Sequence, residues 1–267
     1  MAYIQTQLYS EVLGTEMDVS IIVPQEKQPY AGDGRLKVLW LLHGGSGDHT
    51  AWQRMSSIER IAMEYGLAVI MPGAFQSCYT DMVHGGRYFT YLSEELPRII
   101  RHMLPRLSPA REDNYISGYS NGGYGCLRVG LARPDLFGAI GAFSAGDKSD
   151  IEFVNDGSQR AKDRIMLFGE GDFKGTENDL KHLGREGLKI GKSVARVYHG
   201  CGSLDPWLDL NLLLRDFFLS LEGNPYKYHY HEAEGHGHTW QFWEQELVRF
   251  LEYLGLDKTE GQYLMGM

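Results

Sequence analysis

A chain of 267 residues, 43% apolar and 23% charged, is long enough to bury a full core and too apolar to remain disordered. Its formal charge of -9 works against nucleic acid and anionic lipid, both of which need a basic face to displace counterions, so neither is an expected partner. No apolar run reaches the roughly 18 to 20 residues that a membrane span requires, and the opening "MAYIQTQLYSEVLG" lacks the basic start and apolar core of a signal peptide, which points to a cytoplasmic chain.

The first segments, "YIQTQLYS" and "MDVSIIVP", lean toward strand with turn residues between them, and predict a hairpin or adjacent antiparallel strands ahead of "PQEKQPYAGDG". "LKVLWLLHGG" (36–45) is a nearly unbroken apolar run ending in glycines, the look of a strand buried on both faces. In "DHTAWQRMSSIERIAMEYG" the apolar residues Trp52, Met55, Ile58, Ile61, Ala62 and Tyr65 recur at three and four, predicting one helix ended by Gly66. A second buried strand, "LAVIMPG", leads into a loop rich in Tyr, Gly and His (74–91). A helix is expected from about Ser93 to Leu104, with Pro97 tolerable only near its first turn.

The alternation continues with "NYISGYS" as strand, "NGGYGCLRVGLARP" as helix, then "FGAIGAFSAG", "ARVYHG" and "YKYHYHEAEG" as strands. "TWQFWEQELVRFLEYLG" closes the chain as a helix. Strands alternating with helices predict an α/β fold with a mainly parallel sheet covered on both faces. The chain reads as one domain over 1–267, with a small insertion around 147–190 where charge, glycine and short apolar pieces mix. There "RIMLFGEGD" suggests a strand and "TENDLKHLGREG" a short helix.

Gly118-Tyr119-Ser120-Asn121-Gly122 matches G-x-S-x-G between a predicted strand and a predicted helix. In that context the serine sits on a sharp turn that exposes its hydroxyl at the carboxyl end of a parallel strand. The turn also aims the Asn121 backbone N–H and the positive end of the new helix at a reacting carbonyl oxygen. His43-Gly44-Gly45 ends the first buried strand, and its glycines permit close approach to a substrate, with the Gly45 N–H a candidate second oxyanion donor. His43 precedes the serine, against the Ser, acid, His order of such hydrolases, and is expected to fix the loop.

The base should follow the last strand, where His236 and His238 both fit; His229 and His231 fall within the strand on one face. The acid is expected after the penultimate strand, where Asp205 stands at the right distance, Asp209 a turn further on, and Asp172 ends another apolar run. The four histidines could instead share a metal, although no cysteine or H-E-x-x-H supports that reading. Cys78, Cys126 and Cys201 are odd in number and far apart, which suits reduced, buried thiols.

Together "LLHGGSGDHTAW", "LAVIMPG", "GYSNGGYG", "HGCGSLD" and "GHTWQFW" resemble the tributyrin esterase and S-formylglutathione hydrolase (esterase D) group of α/β-hydrolases, related to carbohydrate esterase family 1. The resemblance runs to about Leu254 and implies the α/β-hydrolase fold, Ser120 as nucleophile, Asp205 in C-G-x-x-D as acid and His238 in G-H-x-W as base. It also implies Gly45 and Asn121 as backbone oxyanion donors, with Trp240 and Trp243 on the helix behind the histidine. Residues 147–190 match it weakly, Pro206-Trp207 departs from the residues usual after the acid, and Cys78 and Tyr79 lie in a loop expected to face the site.

The expected activity is a serine carboxylesterase for short acyl esters, with acetyl or feruloyl esters of small carbohydrates favoured and no cofactor or metal called for. The alternatives are an S-formylglutathione hydrolase, an acyltransferase on the same fold, or a catalytically silent binding module. Esterases of this type include self-associating ones, so a homo-oligomer stays open, without a sequence patch that marks it.

Overall fold

The computed structural model describes residues 1–24, 34–189 and 193–258. Most of the turn segment "PQEKQPYAGDG" and the last residue of 147–190 lie outside the described residues. Nine α-helices and eight strands are found among those described: β1 (Ala2–Ser10), β2 (Thr15–Val23), β3 (Lys37–Leu42), α1 (Ala51–Met55), α2 (Ile58–Tyr65), β4 (Leu67–Pro72), α3 (Tyr88–Thr90), α4 (Leu96–Met103), β5 (Asn114–Tyr119) and α5 (Asn121–Ala132). They continue with β6 (Ala139–Phe143), α6 (Gln159–Phe168), α7 (Leu180–Lys189), β7 (Arg196–Gly202), α8 (Leu208–Leu219), β8 (His229–Ala233) and α9 (Trp240–Tyr253).

The strands form one sheet in the order β1-β2-β4-β3-β5-β6-β7-β8. β1 pairs antiparallel with β2, and β2 with β4, while every other pair is parallel. The hairpin expected at the start and the parallel sheet expected after it are both present. Alternation along the central strands divides the core into two layers, because successive side chains point to opposite faces. Val38, Trp40 and Leu42 of β3 join Ile116, Ile140 and Val197 beneath α4, α5, α7 and α8. Leu39 and Leu41 join Val69, Tyr115, Phe143 and Tyr198 beneath α1, α2 and α9.

Three local expectations are corrected. The helix read over "DHTAWQRMSSIERIAMEYG" is two helices broken at Ser56 and Ser57. The Ser56 backbone N–H and hydroxyl both donate to the Trp52 carbonyl, and the Ser57 N–H donates to Glu244 of α9, so side-chain and tertiary bonds replace the helical ladder. The helix expected from Ser93 begins earlier, at Tyr88, and passes through a π-helical turn (Tyr91–Glu95) before α4. Pro97 has no N–H to offer the Ser93 carbonyl, and Arg133 Nη1 donates to that carbonyl at 3.2 Å instead. "RIMLFGEGD" is not a strand: its apolar residues end α6, which the Ser158 hydroxyl caps by accepting the Ala161 N–H. The short helix read in "TENDLKHLGREG" is α7.

Candidate active site

β5 ends at Tyr119 and α5 begins at Asn121, which leaves Ser120 alone at the corner with φ 56° and ψ -118°. Few residues other than glycine adopt such angles, and the turn holds because its neighbours over-determine it. The Ser120 N–H donates to the Phe143 carbonyl of β6 at 2.8 Å, and the Ser120 carbonyl accepts from Tyr124 N–H at 3.0 Å. Both flanking glycines are required by close approach. A Cβ on Gly118 would stand 2.5 Å from the Gly122 carbonyl oxygen, and one on Gly122 would stand 2.5 Å from that of His43.

Asp205 follows β7 and His238 follows β8, on the same edge of the sheet as Ser120. His238 Nδ1 donates to Asp205 Oδ2 at 2.9 Å. A carboxylate can only accept, so this bond fixes the proton on Nδ1 and leaves Nε2 as the basic nitrogen of the neutral ring. The His238 ring meets Trp243 of α9 edge to face at 4.9 Å, as expected of the helix behind the histidine. Burial pushes the Asp205 carboxyl up, but hydrogen bonds from His238, the Ser144 hydroxyl and the Trp207 N–H outweigh it and hold it below its ordinary value.

The other candidates stand elsewhere. His236 turns its ring to Phe242, and its carbonyl accepts the Leu204 N–H. Asp209 is exposed on α8, and Asp172 is exposed while it accepts the Lys174 N–H. His229 stacks between Tyr198 and Tyr253, and His231 pairs with buried Glu246. Among the described residues no group of three or more His, Cys, Asp or Glu is arranged to hold a metal ion. All three cysteines are buried and free, and burial raises each thiol above its ordinary range.

The loop after β3 lies beside the turn at Ser120. A Cβ on Gly45 would come within 3.0 Å of Asn121 Nδ2, so these two residues face each other across the two loops. His43 is a clamp here. Its Nε2 accepts the Ala74 N–H at 3.0 Å, which obliges Nδ1 to donate to the Gly44 carbonyl at 2.8 Å. Its carbonyl accepts from the Tyr79 hydroxyl, and burial keeps its ring neutral by pushing its pKa down.

A cavity of about 720 Å³ opens from Ser120 and Asn121, passes Trp207, and is walled by the segment between β6 and β7. Its apolar lining includes Phe153, Phe168 and Phe173, and its polar lining includes Lys148, Arg160 and Asp163. Arg164 fixes that wall: its guanidinium lies against Phe153 and Phe173 and donates to the Gly169 and Gly171 carbonyls. Two residues at the site had gone unnoticed in the sequence. Ser144, at φ 52°, follows β6 and bridges Trp243 Nε1 to Asp205; Lys148 donates to Asn121 Oδ1 at 2.9 Å. Position at the end of a parallel strand was the signal for Ser144, whereas nothing local marked Lys148.

Strained backbone gathers at this edge. Of the eight non-glycine residues with positive φ among those described, six belong to the strand-end loops around the cavity: Ser46, Phe75, Cys78, Tyr79, Ser120 and Ser144.

The Esterase family model matches residues 10–254. An acetyl esterase from Caldicellulosiruptor saccharolyticus is 30% identical over 269 residues, covering 95% of this chain and 98% of the relative. Among solved structures, FphF, a fluorophosphonate-binding serine hydrolase of Staphylococcus aureus, superposes with a TM-score of 0.81 at 31% identity, covering 95% of this chain and 98% of that one. An S-formylglutathione hydrolase (FrmB) from the same organism superposes with a TM-score of 0.78 at 31% identity and the same coverage. The architecture is the α/β-hydrolase fold.

Proposed function

The chain belongs to the Esterase family and is a serine hydrolase, and from that premise we propose a carboxylesterase acting on short-chain acyl esters through Ser120, His238 and Asp205. The observation that carries this reading is the 2.9 Å bond from His238 to buried Asp205 at the sheet edge where Ser120 opens into the cavity. His238 Nε2 takes the Ser120 proton as the hydroxyl oxygen bonds to the acyl carbon. The carbonyl oxygen gains the negative charge, and the Gly45 and Asn121 backbone N–H groups receive it. The tetrahedral adduct collapses, the alcohol leaves with the proton from His238, and a water repeats the sequence on the acyl-enzyme. Asp205 stays ionised throughout, holding the imidazole and stabilising its protonated form. No step calls for a cofactor.

Acetyl or feruloyl esters of small carbohydrates fit the cavity best. Its volume suits a ligand of that size. Trp207 is 40% exposed at its wall with Arg160 stacked over the ring, a flat apolar face beside polar groups, as a sugar requires. The acetyl esterase relative supports the acetyl choice. S-formylglutathione is the second reading, favoured by the cations Lys148 and Arg160 in the wall and by the likeness to FrmB.

Hydrolysis of p-nitrophenyl acetate, butyrate and octanoate by the wild type, Ser120→Ala, His238→Ala and His236→Ala tests the reading. Rates should fall with chain length, drop by about 10⁴-fold or more in Ser120→Ala and His238→Ala, and survive in His236→Ala. Turnover that persists in Ser120→Ala overturns the triad. Acetylated xylo-oligosaccharide set against S-formylglutathione then separates the two substrates by kcat/KM.

A further inference from the structure

The two oxyanion donors of the proposed reaction come from different loops. Gly45 follows β3 and Asn121 opens α5, so no single element fixes the distance between their N–H groups. The Asn121 side chain spans the gap. Its Nδ2 lies where a Cβ on Gly45 would be only 3.0 Å away, and its Oδ1 accepts from Lys148 Nζ at 2.9 Å. Gln76 Oε1 would stand 3.4 Å from the same Cβ, and Gln76 Nε2 donates to Ser46 Oγ.

Lys148 is free to serve Asn121 because the acids beside it are engaged elsewhere. Asp147 accepts the Ser149 and Lys181 N–H groups, and Asp150 pairs with the Lys181 ammonium. Among the described residues no carboxylate lies within ion-pair distance of Lys148. A charge-assisted bond from an ammonium is stronger than one between neutral groups, and here it holds the Asn121 amide with its oxygen toward Lys148 and its NH2 toward Gly45.

We propose that Lys148, carried by the segment between β6 and β7, is a positioning residue for the oxyanion site: it locks the Asn121 amide, and the locked amide sets the spacing of the Gly45 and Asn121 loops. The inference rests on the serine esterase reading above. It makes the order of the cavity wall a condition for full oxyanion stabilisation, since the same segment lines the cavity and supplies the lock.

A double-mutant cycle on p-nitrophenyl acetate tests it, with Lys148→Met, Asn121→Ala and the pair, and Lys148→Arg as the conservative variant. Misplacing a reacting group by about 1 Å can cost about 100-fold, so Lys148→Met should lower kcat by roughly ten-fold while KM stays within about two-fold. Asn121→Ala should lose a similar factor, the double variant no more than about two-fold beyond it, and Lys148→Arg should recover most of the rate. Melting temperatures are read in parallel. If the Met variant does not fold, Lys148→Ala takes its place in the cycle.

Wild-type kcat in the Lys148 variant overturns the proposal. So does a rise in KM alone, which makes Lys148 a substrate ligand, or losses that multiply in the double variant. In each of these cases Ser120→Ala still abolishes turnover. Should turnover survive Ser120→Ala, the esterase reading fails and the inference falls with it.

Discussion

At Asp205 two forces oppose each other, and the result decides what the residue can do. Desolvation disfavours the carboxylate, while three donors, His238, Ser144 and the Trp207 N–H, hold it ionised. Replacement by Asn offers the Nδ1–H a poorer acceptor and permits the wrong tautomer, so Asp205→Asn should lower kcat by about 10³- to 10⁴-fold with KM little changed. Steady-state kinetics on p-nitrophenyl acetate, with melting temperature as a control, checks this. The position of Ser120 was legible because the close approaches around Gly118 and Gly122 leave a strong trace in sequence. His236 and His238 were not separable by position, since both follow the last strand; the bond from His238 to Asp205, with the His236 ring turned to Phe242 instead, tells them apart.

Sequence period served well for elements buried in the sheet and poorly for those held from a distance. β3 and β4 are buried on both faces and read as such, and β5 read as a strand. The segment between β6 and β7 is tied down by partners far away in the chain: Arg128 and Tyr124 of α5 donate to the Asn178 side chain and carbonyl, and Asp147 accepts the Lys181 N–H of α7. Nothing in "RIMLFGEGD" signals that Arg164 will be folded among phenylalanines, and its apolar run imitates a strand. Burial raises Asp147 to about 6, against the opposing Ser149 bonds. A raised carboxyl favours the protonated form in the fold, so its contribution is complete below the ordinary value near 4 and is lost as pH climbs through about 6. Asp179 is held below its ordinary range by the Gly175, His182 and Lys181 N–H groups against its own desolvation, so it stays ionised above pH 5 and adds no slope there. The melting temperature should therefore fall between pH 5 and 7.5. Asp147→Asn, which keeps an acceptor for Ser149, gives up the one for the Lys181 N–H and cannot ionise, should flatten that fall, and thermal scans of both proteins across the range decide it.

Over the whole molecule the sheet carries two dense apolar layers, and the positive-φ residues collect on one edge. Each such residue costs on the order of 1 to 3 kcal/mol, and the core offsets them together. Loops held this way open before the sheet does, because stored strain lowers local stability. Activity against p-nitrophenyl acetate, assayed at temperature, should thus disappear several degrees below the unfolding midpoint seen by far-ultraviolet circular dichroism. Coincident midpoints would contradict it. For anyone hardening this protein, the same clustering sets a trade. Glycine at Ser46 or Phe75 should raise the melting point and loosen the loops that turnover needs, so a screen on heat resistance alone would select slower enzymes. Substitutions beneath α2 carry no such penalty.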